Sequence, residues 1–149
     1  MSETDPRLYP ARPFLAASIA VMRDGRVLLA RRTRGPGKDK FALPGSLVET
    51  GETMAAAALR ELKEETGVEA EITGFNAHSE VILRDATGRV QSHYAIASYV
   101  GHWLAGEGQT GPEAGEIVWA SAADCKKLDL VDGLGDILAR AWQISGARS

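Results

Sequence analysis

The chain has 149 residues, a formal net charge of −3, 44% hydrophobic and 25% charged residues, and a single cysteine. That length suits one domain with a real core, and the even composition excludes a disordered or fibrous chain. The slight negative charge gives no basic footprint for nucleic acid, the lone Cys125 cannot close an internal disulfide, and the longest apolar run, FLAASIAVM from Phe14 to Met22, is too short to cross a bilayer. The balance points to a cytoplasmic protein with a small-molecule partner rather than nucleic acid or membrane.

Residues 1–13 carry Pro6, Pro10 and Pro13 and read as an extended N-terminal arm before a single domain spanning 14–149. FLAASIAVM and RVLLARR flank Asp24-Gly25, a dipeptide suited to a tight hairpin because both central positions favour positive φ. RTRGPGKDK is a basic, glycine-broken loop, and FALPGS reads as one short strand ending at Pro44-Gly45. A helix is predicted from about Thr53 to Thr66, with Thr53 as N-cap and Gly67 in the left-handed C′ position. The second half is mostly strand: VEAEITGFNAHSEVIL with a glycine break, a DATGR turn, then VQSHYAIASYVGHWL. A glycine-rich loop, a last short strand IVWA, a helical turn and a closing helix GLGDILARAWQI follow. Strands, helix, strands, helix in that order predict an α/β fold with a mixed sheet between helices.

The predicted helix carries an anomaly. RELKEETG crowds Glu61, Glu64 and Glu65 near the helix C-terminus. At about 100° per residue the three carboxylates share an arc of about 100°, with Ala55, Leu59 and Leu62 forming an adjacent apolar face. Like charges three and four residues apart repel by a few tenths of a kcal/mol. Carboxylates in the last turn also oppose the helix dipole, by roughly 0.3–1 kcal/mol each. A solvated charged face is the bland explanation; neutralisation by a divalent cation explains the cost. The loop LPGSLVETGET just before the helix returns Glu52 to its start, and Pro44, Gly45 and Gly51 allow tight backbone turns there.

Residues 46–68, SLVETGETMAAAALRELKEETGV, resemble the signature of the Nudix hydrolases. Glu52, Arg60, Glu61, Leu62, Glu64, Glu65, Gly67 and Val68 match in register, while Ser46 stands where that signature opens with glycine. The resemblance implies an α/β/α sandwich and hydrolysis of a nucleoside diphosphate linked to another moiety, with Mg²⁺ (or Mn²⁺) as cofactor. By position it implies Glu61, Glu64 and Glu65 as metal ligands, the carbonyl of Gly45 as a further one, and Glu52 in a supporting place. Arg60 would hold the carboxylates in orientation. A general base would come from Glu64, Glu65 or, in the loop before the last strand, Glu113, with Glu116 behind it.

Arg31, Arg32 and Arg34 stand before the signature and suit phosphate oxygens, although alternation along a strand lets only one of Arg31 and Arg32 face a cleft. Tyr94 is a candidate for stacking on a base, with core packing as the alternative. An ADP-ribose-like substrate is slightly favoured; the alternatives are (d)NTP pyrophosphohydrolysis of the MutT kind and a non-catalytic ligand sensor. The proline that often follows the signature in ADP-ribose enzymes is absent, with Leu83 and Arg84 at that distance. The resemblance also admits a homodimer.

Overall fold

The computed structural model describes residues 6–146. The strands are β1 (Phe14–Arg23), β2 (Arg26–Arg32), β3 (Phe41–Ala42), β4 (Gly45–Leu47), β5 (Glu69–Arg84), β6 (Val90–Ala105) and β7 (Ala114–Ala120). The helices are α1 (Met54–Thr66), the short α2 (Ala122–Cys125) and α3 (Leu134–Gly146). Among the described residues, the seven strands form one mixed sheet in the order β3-β2-β1-β6-β5, with β4 paired to β1 and β7 to β2. β1 runs parallel to β6; every other pairing is antiparallel.

The β1–β2 hairpin turns at Asp24 (φ 50°) and Gly25 (φ 76°), so both central residues adopt the predicted left-handed geometry. Alternation along these strands then divides the core. Ala17, Ile19, Val21 and Leu28 face α1, where they meet Ala57, Ala58, Leu62 and Val68. Ala20, Met22, Val27 and Leu29 face α3 through Leu134, Leu138 and Ala141. Each side chain set points one way because successive strand residues alternate faces. The result is an α/β/α sandwich.

Three local features differ from the predicted elements. FALPGS is two strands rather than one: β3 joins β2 and β4 joins β1, with Pro44 between them. Proline has no N–H for a ladder, yet its carbonyl still accepts from Ile19 N–H at 3.2 Å. Gly74 does not break β5; the strand continues through register shifts between Ile72 and Gly74 and between Phe75 and Ala77. The last strand begins at Ala114, earlier than IVWA, because β2 pairs with it as far as Arg32↔Ala114.

Of the proposed arm, residues 1–5 lie outside the described residues. Residues 6–13 turn rather than run straight, with Tyr9 at φ 52°. Tyr9 N–H donates to Gln91 O and its hydroxyl to Asp85, both at 2.9 Å, while Arg89 lies 4.2 Å over its ring. These contacts tie the segment to the turn between β5 and β6.

Candidate active site

Helix α1 is built by local chemistry. Thr53 Oγ1 accepts from Ala56 N–H at 3.0 Å, and Gly67 closes the helix at φ 74° with its N–H on Lys63 O. The helical face that packs on the sheet is Ala57, Ala58, Glu61, Leu62 and Thr66. Leu62 and the partly buried Leu59 anchor the helix as expected, but the packed face is wider than predicted and Ala55 is not part of its core. The small side chains of Ala57 and Ala58 let the backbone approach the sheet closely, so the buried stripe runs through the carboxylate arc itself. Glu61 retains 9% of its exposure and Glu65 is half-buried, whereas the Glu64 side chain is 59% exposed.

Arg60 organises this face with one guanidinium. Its Nε and Nη2 donate to the two oxygens of Glu52 at 2.6 and 2.9 Å. Nη1 donates to Glu61 at 2.7 Å and Glu64 at 3.2 Å, and Nη2 also reaches Leu47 O at 3.1 Å. The fork thus ties loop, helix start and helix end into one unit, as arginine's fixed donors allow. Hydrogen bonds from Arg60, and then from the Glu49 N–H, hold the Glu52 carboxyl down at about 2.

Glu65 has no such partner among the hydrogen bonds of the described residues. Its Oε2 faces the Gly45 N–H at a long 3.4 Å. Burial first, then hydrogen bonding and repulsion from Glu61, push its carboxyl up from 4.5 to about 8; the Gly45 N–H works weakly the other way. Gly45 can stand here only as glycine. A Cβ would lie 2.2 Å from Ala17 O and 2.7 Å from Ser18 Cα. Ser46, by contrast, pairs with Ala17 in β4 and is not among the positive-φ residues, so its backbone does not demand glycine.

A third carboxylate arrives from far along the chain. Carboxylate oxygens of Glu61, Glu65 and Glu113 lie within 4.8 Å of one another. A groove of about 260 Å³ opens beside them, lined by Arg34, Glu64, Glu65, Pro112 and Glu113. Arg34 Nη2 donates to Glu113 at 2.9 Å, and Thr33 Oγ1 donates to Pro112 O at 2.6 Å, so the basic loop and the loop before β7 share one rim. Oxygen donors in this number suit a hard divalent cation. Burial and the neighbouring Glu61 make negative charge on Glu65 costly, and a bound cation would offset that cost.

The other candidates fall differently. Glu64 lines the groove but stands outside the converging trio. Arg31 pairs with Glu116 at 2.9 Å and lies 5.0 Å from the Phe41 ring centroid. Arg32 folds back onto its own loop, donating to Pro36 O at 2.9 Å. Neither lines the groove; Arg34 does, and strand alternation gave no reason to single it out. Tyr94 packs its ring 6.1 Å from Phe14. Leu47, whose carbonyl receives Arg60, carries no signal in the sequence, because the contact uses its backbone.

The chain resembles known proteins over most of its length. A model of the NUDIX domain matches residues 12–141. The chain is 35% identical over 122 residues to an ADP-ribose pyrophosphatase of Methanocaldococcus jannaschii, covering 82% of this chain and 69% of that protein. It is 32% identical to a putative 8-oxo-dGTP diphosphatase 2 of Mycobacterium tuberculosis, covering 75% of this chain and 76% of that one. Among solved structures, a MutT NUDIX hydrolase from Burkholderia pseudomallei superposes with a TM-score of 0.75 at 27% identity, over 87% of this chain and 98% of its own. With the signature carboxylates gathered on α1 and the domain model spanning β1 to α3, the chain belongs to the Nudix hydrolase family.

Proposed function

We propose that this hydrolase cleaves a pyrophosphate bond in a nucleoside diphosphate linked to another group, with an ADP-ribose-like compound favoured and Mg²⁺ as the metal. The observation that carries the reading is the convergence of Glu61, Glu65 and Glu113 within 4.8 Å beside a groove rimmed by Arg34. Glu61 and Glu65 would hold the ion, with Glu64 at the open edge and the Glu113 carboxylate beside it. A bound divalent cation neutralises phosphate charge and makes its water more acidic. The chain's own groups do the rest. Arg60 keeps Glu52, Glu61 and Glu64 oriented. Arg34, exposed at the groove mouth, offers planar donors to phosphate oxygens. Glu113 takes the proton of the attacking water, with Glu64 and Glu65 as the competing bases.

The name of the Methanocaldococcus jannaschii relative, ADP-ribose pyrophosphatase, supports the favoured substrate. A second reading, hydrolysis of a nucleoside triphosphate, draws support from the mycobacterial relative named for 8-oxo-dGTP. Retention of Glu61, Glu64 and Glu65 together weighs against a non-catalytic sensor. The test is a panel of nucleoside diphosphate derivatives and triphosphates with Mg²⁺, read as released nucleoside monophosphate. ADP-ribose should yield AMP and ribose 5-phosphate at the highest kcat/KM. Glu113→Gln should lower kcat by roughly 10²–10⁴ with little change in KM. Preferred turnover of triphosphates would replace the first substrate reading with the second. No turnover of any member would sink both.

A further inference from the structure

The segment between β6 and β7 must deliver Glu113 to α1, yet Gly106, Gly108 and Gly111 leave it little stiffness of its own. Tertiary tethers supply what the local sequence lacks. Gln109 N–H donates to Thr66 O at 2.7 Å, satisfying one of the last-turn carbonyls that α1 cannot satisfy itself. Thr33 and Arg34 hold the downstream end at Pro112 and Glu113.

The upstream end is held by a more elaborate device. Arg23, at the end of β1, donates to both oxygens of Glu107 at 2.8 and 3.0 Å. Its guanidinium lies 3.8 Å over the Trp103 ring and 5.3 Å from that of Trp119. Both indoles also donate to the segment's backbone, Trp103 to Gly106 O at 2.7 Å and Trp119 to Glu107 O at 2.9 Å. Glu107 alone is 78% exposed, and a lone surface pair contributes little. Here the pair is bidentate, stacked and linked to two indole–carbonyl bonds, so the members restrain one another.

We propose that Arg23 is a positioning residue: with Glu107, Trp103 and Trp119 it clamps the 106–113 segment across the end of α1 and so holds Glu113 against Glu61 and Glu65. This rests on the role of Glu113 proposed above. Arg23 touches neither the groove nor the carboxylates in the described contacts; its effect passes through the segment. A purely structural clamp would lower the melting temperature and leave the site's properties alone.

The test compares Arg23→Ala, Arg23→Lys, Glu107→Gln, Glu113→Gln and the double variant Arg23→Ala/Glu113→Gln, well below their melting temperatures. Lys63→Gln, which removes a surface pair with Glu69, is the control. The readouts are kcat and KM on the preferred substrate and calorimetric titration with Mg²⁺ alone. Arg23→Ala should lower kcat on the order of tenfold, since small displacements of a reacting group are costly. It should also weaken Mg²⁺ binding several-fold, with KM nearly unchanged. Arg23→Lys, which keeps the charge but not the fork, should fall between. The double variant should be no slower than Glu113→Gln by more than about twofold, the non-additivity expected when one residue acts through the other. If Arg23→Ala does not fold, Glu107→Gln and Arg23→Lys carry the same comparison. Wild-type kcat and Mg²⁺ affinity in the Arg23 and Glu107 variants, with Glu113→Gln impaired, would overturn the positioning role alone. Wild-type behaviour of Glu113→Gln would overturn the role of Glu113 and this proposal with it.

Discussion

Glu65→Gln separates what the site does for stability from what it does for metal. Glu65 is half-buried against Glu61, and its carboxyl is pushed up from 4.5 to about 8. A group whose folded pKa is raised stabilises fully below its unfolded pKa, and that contribution is lost as pH rises through the folded one. The metal-free wild type should therefore lose stability between about pH 4.5 and pH 8. At 1.36 kcal/mol per pKa unit, the loss by pH 7 is about 3 kcal/mol, an upper figure because half-burial admits some water. Glutamine keeps the shape and does not titrate. Its amide costs about 1 kcal/mol if a hydrogen bond is lost, leaving roughly 1–2 kcal/mol in the variant's favour near neutrality. For a domain of this size that is a few degrees of melting temperature. Thermal melts in chelator at pH 5, 6, 7 and 8 should show the variant at or below wild type at pH 5 and progressively above it towards pH 8. Excess Mg²⁺ should narrow or reverse the order at pH 8, because the wild type gains RT ln(1 + [L]/Kd). A variant less stable than wild type in chelator at every pH, by a constant margin, would refute the reasoning.

Gly45→Ala forces a Cβ against the backbone at Ala17 and Ser18; chemical denaturation should show a loss of at least about 2 kcal/mol. Ser46→Gly, at a β4 position without positive φ, should leave kcat/KM within about twofold of wild type in the same substrate assay, with at most about 1 kcal/mol lost in denaturation. Arg60→Lys loses the fork that joins Glu52 to Glu61 and Glu64; denaturation should show a loss of roughly 2 kcal/mol, and Mg²⁺ titration a weaker site. Glu64→Gln removes only an exposed pair with Arg60, so its stability should stay within about 0.5 kcal/mol of wild type while hydrolysis falls.

Features whose cause lies within a few residues were legible in the chain alone. Asp24-Gly25 sets the hairpin because its two positive φ values cost those residues little, and Thr53 and Gly67 bound α1 because each bonds to the helix it caps. The carboxylate spacing on that helix follows from its period, and the signature at 46–68 rests on the same spacing. Periodicity says which residues share a face but not which face is buried. That was decided by the sheet, which accepts the close approach of Ala57 and Ala58 and so draws Glu61 and Glu65 inward while leaving Glu64 outside. Distance along the chain likewise hides what brings Glu113, which the family resemblance alone singled out, to these carboxylates. Glu113 meets them because β7 pairs with β2 and the segment before it is tied to Thr66, Thr33 and Arg23. Arg34 reaches the groove rather than Arg31 because a loop residue is aimed by the contacts of its loop, whereas a strand residue is aimed by the pleat. The helix with its ligand types is thus a property of the local sequence. The site, in which a distant carboxylate joins the buried Glu61 and the half-buried Glu65, exists only once the sandwich has closed.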